Sequence, residues 1–348
     1  MRSLRSLHQS ADHFATSFVP RGRLYPEGFG DFDRLEALVD QIRHYESTPP
    51  GDVELTIERR RRRPGWTLIE ASYRSPASYL PPESRTGRLE IREPSGDRKP
   101  ICLLFAATGE EGFLSRRPFA LTLLRAGIGS AIIETPYYGS RRRHGQKGAL
   151  LRTVDDQFAM NLATVDEGRA LVRYFARSGY ETIGLTGYSQ GGMMAAFTAA
   201  LSEHPVIVMP RGSGCSAVPI FTESALSMRM NWELMAQQKG GRDAAREYFA
   251  ECLQPVDVSR MPPPKRADLA ILIHSRGDGF VPAAEARSLN RHWPGSELRW
   301  IPAGHLTGLL LYPDAHRAAV LDAFKRAHQS NTASAKAIPD DSSRSPGG

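Results

Sequence analysis

The chain has 348 residues, 41% of them hydrophobic and 24% charged, with a formal net charge of +7. This is the composition of a globular protein, which excludes collagen-like or wholly disordered chains, and no apolar run approaches the roughly 18 residues of a membrane-spanning helix. The positive charge is mostly arginine, and without a basic stripe interleaved with aromatics it does not read as a nucleic-acid surface.

The start, MRSLRSLHQSADHF, is basic but broken by polar residues before an apolar region can develop. It does not read as a secretory signal, and the early Asp12 counts against an organelle presequence. Residues 1–58 read as an extension. Within it Phe32, Leu35, Leu38, Val39 and Ile42 recur at helical spacing, predicting one amphipathic helix that Pro49-Pro50-Gly51 ends. Arg59 to Arg63 read as a solvated face. From Thr67 the period changes: TLIEASYRS and GRLEIRE alternate as half-buried antiparallel strands do, around the Pro-rich SPASYLPPES. ICLLFAA is a continuous apolar run suited to a strand buried on both faces, with Cys102 as a buried thiol. RPFALTLLRAG is a helix closed by Gly127, and GSAIIET another buried strand.

The alternation continues through a long helix, DDQFAMNLATVDEGRALVRYFARSG, ending at Gly179, and then a short strand running into GYSQG. PVIVMP, LAILIHS and ELRWIPA are three further strands. TESALSMRMNWELMAQQ and GRDAAREYFAECL, between PVIVMP and LAILIHS, read as helices of an insertion over the sheet, about residues 211–264. PDAHRAAVLDAFKRAH is a final amphipathic helix, and the aperiodic residues 329–348 read as disordered. Strand–helix alternation predicts a doubly wound α/β fold over residues 59–328, with about eight mostly parallel strands and helices on both faces. Cys102, Cys215 and Cys252 are too widely spaced for a zinc or disulfide framework, so a reduced, cytoplasmic protein is expected.

Gly187-Tyr188-Ser189-Gln190-Gly191 has the arrangement of a nucleophile elbow, a serine on a strand-to-helix turn so tight that side chains two residues either side would collide with strand or helix. A Gly-rich turn alone would also match G-x-S-x-G, but here an apolar strand precedes it and a small-residue helix follows. A serine needs a base, and the base a group to orient it. Asp278 lies just past LAILIHS and His305 just past ELRWIPA, so all three residues fall at the C-terminal ends of parallel strands, where open α/β sheets bind ligands. Asp257 and Asp268 precede their strand and point to the wrong end. Asp314 and Asp322 belong to the last helix, His274 is internal to a strand, and His144 and His292 read as surface residues. For an oxyanion hole, the Gln190 backbone N–H is one expected donor, and the loop carrying Thr108 and Gly109 supplies the other.

SPASYLPP, ATGEEGFLSRRP, IIETPYYGSRRR, LTGYSQGGMMA, SGCSAVPIFTESALSMRMNW, GDGFVP and WPGSELRWIPAGHLTG together resemble the α/β-hydrolase-domain-containing protein eighteen family, over about Thr67 to Phe324. The family pattern often carries a His near Glu111, where this chain reads Gly109-Glu110-Glu111. The resemblance implies an α/β-hydrolase fold, a Ser189–Asp278–His305 triad and a lipid-type acyl ester as substrate. The insertion itself reads as a helical cap, and a triad of this kind, acting on a lipid-type or other acyl ester, is expected to need no cofactor or metal. An amidase or peptidase using the same triad, or a non-catalytic binding protein on the same fold, stays open.

Arg116, Tyr137, Tyr138, Arg211, Met228 and Trp232 are the substrate-binding candidates. Arg116, Arg117, Arg141 to Arg143 and Arg211 fall in or near loops at the top of the sheet, either as ion pairs with Glu110, Glu111 or Glu134 or as a rim for an anionic lipid. Met228 and Trp232, four apart, are expected on one face of a cap helix. Peripheral membrane contact by the insertion also stays open, as does the oligomeric state.

Overall fold

The change from alternating to continuous apolar runs near residue 100 is carried directly into the sheet. In strand β4 (Pro100–Phe105) successive side chains leave on opposite faces. Ile101, Leu103 and Phe105 join one hydrophobic cluster, while Cys102 and Leu104 join another. A strand with apolar partners on both sides needs a run without polar interruption.

The structure is a computed structural model that describes residues 12, 24–49, 51–96 and 100–336. The basic N-terminal stretch, apart from Asp12, lies outside the described residues. The described strands form one nine-stranded sheet. Besides β4 they are β1 (Thr56–Arg63), β2 (Trp66–Arg74), β3 (Thr86–Pro94), β5 (Gly129–Ile133), β6 (Thr182–Tyr188), β7 (Ile207–Arg211), β8 (Ile271–Ser275) and β9 (Glu297–Ile301). Their spatial order is β1-β2-β3-β5-β4-β6-β7-β8-β9. Pairing is antiparallel from β1 through β3 to β5 and parallel from β5 to β9. The sheet is thus mostly parallel and flanked by helices, as expected, but with one strand more than the sequence suggested. That strand is the arginine run, read above only as a solvated face. Every residue of β1 is exposed, so no apolar period marks it. It is an edge strand whose charges discourage pairing with another chain.

On one face lie α1 (Phe32–Arg43), α3 (Val154–Arg177) and α4 (Gln190–Ala200). On the other lie α2 (Arg117–Arg125) and α10 (Pro313–Lys336), which enclose the smaller cluster. The predicted helix of the extension is α1. Asp31 caps it by accepting from the Arg34 N–H at 3.0 Å, and Leu35, Leu38, Val39 and Ile42 enter the larger cluster. Between β7 and β8 stand α5 (Val218–Thr222), α6 (Trp232–Lys239) and α7 (Arg242–Leu253); α8 (Ala283–His292) follows β8, and α9 (His305–Leu311) follows β9.

Two expectations are corrected. TESALSMRMNWELMAQQ is not one helix: Leu24 donates to the Arg229 carbonyl at 3.2 Å and accepts from the Asn231 N–H at 3.1 Å, drawing this backbone out of helical pairing. Asn231 then caps a new helix. Met228 falls in a short turn and is 48% exposed while Trp232 is buried, so the two share no helix face. The last helix also runs through Lys336, past the expected boundary at 328. QSNTASAK lacks an apolar period but contains no Gly or Pro, and its Ala, Gln and Lys favour helix. Residues 337–348 lie outside the described residues. Among the described residues, no helix is long and apolar enough to cross a membrane.

Candidate active site

β6 delivers Ser189 into the first turn of α4 with φ 54° and ψ −120°, a conformation that side-chain-bearing residues rarely adopt. The strain is held from both sides. The Ser189 N–H donates to the Arg211 carbonyl at 2.8 Å, and the Ser189 carbonyl accepts from Gly192 and Met193 at 3.0 and 3.1 Å. The flanking glycines are required by contact. A Cβ on Gly191 would lie 2.7 Å from the carbonyl oxygens of Phe105 and Ala106 at the end of β4.

Asp278 and His305 meet as the order of the strands requires. The His305 Nδ1 stands 2.7 Å from Asp278 Oδ2, which assigns the proton to Nδ1 and leaves Nε2 as the basic nitrogen. Asp278 Oδ1 accepts from the Phe280 and Val281 N–H groups at 2.9 and 2.8 Å. Burial pushes the Asp278 carboxyl up, but the His305 charge and hydrogen bond outweigh it, so it sits below the ordinary carboxylate range. The His305 ring lies between Tyr188 and Phe280, with centroids 5.0 and 4.9 Å away. His274 approaches the same carboxylate, 3.9 Å from Oδ2, yet its Nε2 faces the Val281 carbonyl at 3.1 Å. Burial lowers its pKa, which keeps it neutral beneath the loop. Asp257 turns to Ser259, Asp268 pairs with Arg266, and Asp314 and Asp322 pair with Arg317 and Arg299.

Ser189 and Gln190 border a largely apolar cavity. It follows one side of α4 through Met193, Met194, Phe197 and Leu201, and is closed by Ile220, Phe221 and Phe249 of the insertion and by Phe158 and Leu162 of α3. A polar line crosses its wall. Thr108 Oγ1 donates to Gln190 Oε1 at 2.8 Å, and Gln190 Nε2 to Asn161 Oδ1 at 2.7 Å. Gln157 Nε2 donates to the same Asn161 oxygen at 2.9 Å. The sequence analysis missed Gln157 and Asn161, although their four-residue spacing on a predicted helix placed them on one face.

Of the two loop residues named for the oxyanion hole, Thr108 borders the cavity, whereas the Gly109 N–H is directed to the Tyr138 hydroxyl at 3.2 Å. Tyr138 lines the cavity. Tyr137 is buried behind it, its hydroxyl accepting from Arg34 Nη2 at 2.9 Å. Arg116 is buried and donates to the Leu104, Ile133 and Gly112 carbonyls, tying the ends of β4 and β5 to the following loop. Arg211 is buried with its guanidinium 4.4 Å from the Phe119 ring centre, on the opposite side of the sheet from the cavity; burial brings its pKa down to about 10. None of Arg116, Tyr137, Arg211, Met228 and Trp232 lines the cavity.

The loop arginines are engaged. Arg117 pairs with Glu90, Arg141 with Glu167, Arg142 with Glu111 and Arg143 with Asp156. This favours the ion-pair reading over an anionic rim, though most of the partners are not those the sequence suggested. Among the described residues, no group of three His, Cys, Asp or Glu side chains could hold a metal.

The sequence matches the family described as Alpha/beta hydrolase domain containing 18 over residues 22–242 and 235–326. The fold is similar to acetyl xylan esterase from Paenibacillus sp. R4, with a TM-score of 0.58 and 15% identity, covering 82% of this chain and 93% of that one. It is likewise similar to acetyl xylan esterase 1 from Thermoanaerobacterium sp. JW/SL YS485, with a TM-score of 0.56 and 16% identity, covering 84% and 94%.

Proposed function

This chain belongs to the Alpha/beta hydrolase domain containing 18 family, and from that premise we propose that it is a serine hydrolase cleaving carboxylic esters through an acyl-enzyme. The observation that carries the reading is a serine with φ 54°, bordering an apolar cavity in a chain whose buried Asp278–His305 pair is already joined at 2.7 Å. A binding protein has no need of the strained turn or of an oriented imidazole.

In this mechanism His305 Nε2 takes the Ser189 proton as the oxygen attacks the ester carbonyl. Asp278 keeps the imidazole in the required tautomer and stabilises the imidazolium that forms. The oxyanion is held by the backbone N–H groups of Gln190 and Thr108, since that of Gly109 already has the Tyr138 hydroxyl as partner. His305 then returns the proton to the leaving alcohol, and water attacks the acyl-enzyme by the same route. No cofactor enters the scheme. The apolar wall along α4 suits the acyl part of a lipid-type ester, with the alcohol part toward the opening.

A fluorophosphonate probe and an ester panel of graded acyl length test the proposal. Labelling and turnover are expected in the native chain, labelling is expected to vanish in Ser189→Ala, and Asp278→Asn should lose roughly 10⁴-fold in kcat. Undiminished hydrolysis by Ser189→Ala overturns it.

A further inference from the structure

We propose that Asp12, far from the site in sequence, is a positioning residue that holds the acid loop and the histidine loop in register. The inference rests on the serine-hydrolase reading above.

The Asp12 side chain is completely buried. Its Oδ2 accepts from the Gly279 N–H at 2.9 Å and from the His305 N–H at 2.7 Å, while Oδ1 accepts from the Leu306 N–H at 3.0 Å. A single carboxylate oxygen therefore joins the residue after the catalytic acid to the catalytic base itself. Among the described residues no lysine, arginine or histidine forms an ion pair with Asp12, and these three N–H groups offset the cost of burying its carboxylate. Gly279 is packed tightly on this side chain: a Cβ there would stand 3.1 Å from the Asp12 Cβ, so the small residue leaves room for the carboxylate.

The need for an outside acceptor follows from the helix that begins at His305. Its cap position is Gly304, which has no side-chain oxygen to offer the first N–H groups. Thr307 Oγ1 turns back to the Gly304 N–H at 2.9 Å, leaving those of His305 and Leu306 to Asp12. At the other end of the residue, the Tyr188 hydroxyl donates to the His305 carbonyl. The His305 backbone is thus held through its N–H by Asp12 and through its carbonyl by Tyr188, while its ring is held by Asp278. An Asn at position 12 has nearly the same shape, but turns an NH₂ toward N–H donors on at least one side. The loops must then shift, and small displacements of a catalytic group are costly in rate.

The test uses the full-length chain with Asp12→Asn, Asp12→Ala and Asp12→Glu, alongside the native protein and Ser189→Ala. Asp12→Asn and Asp12→Ala are expected to lower kcat roughly 10- to 100-fold with KM little changed. Asp12→Glu, which keeps both acceptor oxygens, should recover part of the loss. Hydrogen exchange should accelerate at residues 276–282 and 303–308 together and not in the central strands. In the native chain the Gly279, His305 and Leu306 amides should be protected, a measurement that needs no variant to fold. Turnover of Asp12→Asn within twofold of native, exchange rising evenly over the sheet with a matching fall in Tm, or unprotected amides at these positions in the native chain would each overturn the proposal. Absence of Ser189-dependent turnover in the native protein would instead sink the serine-hydrolase reading, while the exchange measurements still decide whether Asp12 joins the loops.

Discussion

Gly187 faces Gly191 across the elbow so closely that a Cβ on Gly187 would stand 2.3 Å from the Gly191 carbonyl carbon. This contact forces the chain to reverse at Ser189, and the serine takes up the strain at φ 54°. The strain is a stability cost of about 1–3 kcal/mol tied to function. Ser189→Gly relieves it and should raise stability by about 1 kcal/mol over Ser189→Ala in urea titrations, with both variants inactive. Equal stability of the two would mean that the turn imposes no strain.

The buried Arg141–Glu167 pair makes a second prediction. Both side chains are almost fully buried, and the guanidinium also reaches the Glu134 and Ser84 carbonyls at 2.7 Å each. Tyr73 donates to the same carboxylate at 2.8 Å. Burial works against the Arg141 charge, but Glu167 more than restores it. Removing one partner strands the other charge, so Glu167→Gln should cost about 3–5 kcal/mol. Arg141→Lys should cost nearly as much, because an ammonium cannot span the same acceptors. Urea unfolding of both variants checks this, and a loss under 1 kcal/mol for Arg141→Lys would mean that charge alone matters.

The fold was legible because its strands follow from local pattern, and so was the placement of the candidate residues Ser189, Asp278 and His305 just past strand ends. β4 announces itself by burial on both faces, and Ser189, Asp278 and His305 each sit just past such a run. What stayed hidden depends on contacts between distant segments. β1 carries no apolar signal because none of the described residues covers its faces. The cap helix breaks where Leu24 pairs with residues 229 and 231. Asp12 looked like evidence about targeting, and its three N–H partners lie 267 or more residues away. The loop arginines were seen as a group, but Glu90, Asp156 and Glu167 reach them only through the folded sheet.

His316 predicts how stability responds to acid. It is buried, its Nε2 near the Gly308 carbonyl at 3.2 Å, and burial, reinforced by the Arg211 charge, lowers its pKa to about 3. The unfolded chain binds that proton near pH 6.5 and the folded chain does not, so stability falls as pH falls from about 6.5 toward 3. His316 alone should account for a loss of about 2 kcal/mol between pH 8 and pH 5. His274, also lowered by burial, acts in the same direction. His316→Leu should flatten the pH dependence of urea-unfolding free energy by about that amount, and an unchanged slope would show that His316 titrates normally in the fold.

The cavity yields the last prediction, and it separates its true wall from the residues the sequence suggested. Ser189, Met193, Phe197 and Leu201 follow one side of α4 and its C-terminal end, all bordering the same space. At 1.5 Å of rise per residue, Leu201 lies roughly 18 Å from Ser189 along the axis, the reach of a long acyl chain rather than an acetyl group. Filling the far end with a larger side chain should therefore block long chains and spare short ones. Leu201→Trp is expected to lower kcat/KM for long-chain esters at least 10-fold while leaving acetate and butyrate esters within about threefold, at an overpacking cost of about 1–3 kcal/mol in stability. Phe221→Ala, which opens the wall formed by the insertion, should shift preference toward bulkier acyl groups. Met228 is the control. It is half exposed and does not border the cavity, so Met228→Ala should change neither rate nor preference. If Leu201→Trp slows short and long esters alike, the acyl chain does not follow α4, and the cavity is a gap in the core rather than a binding site.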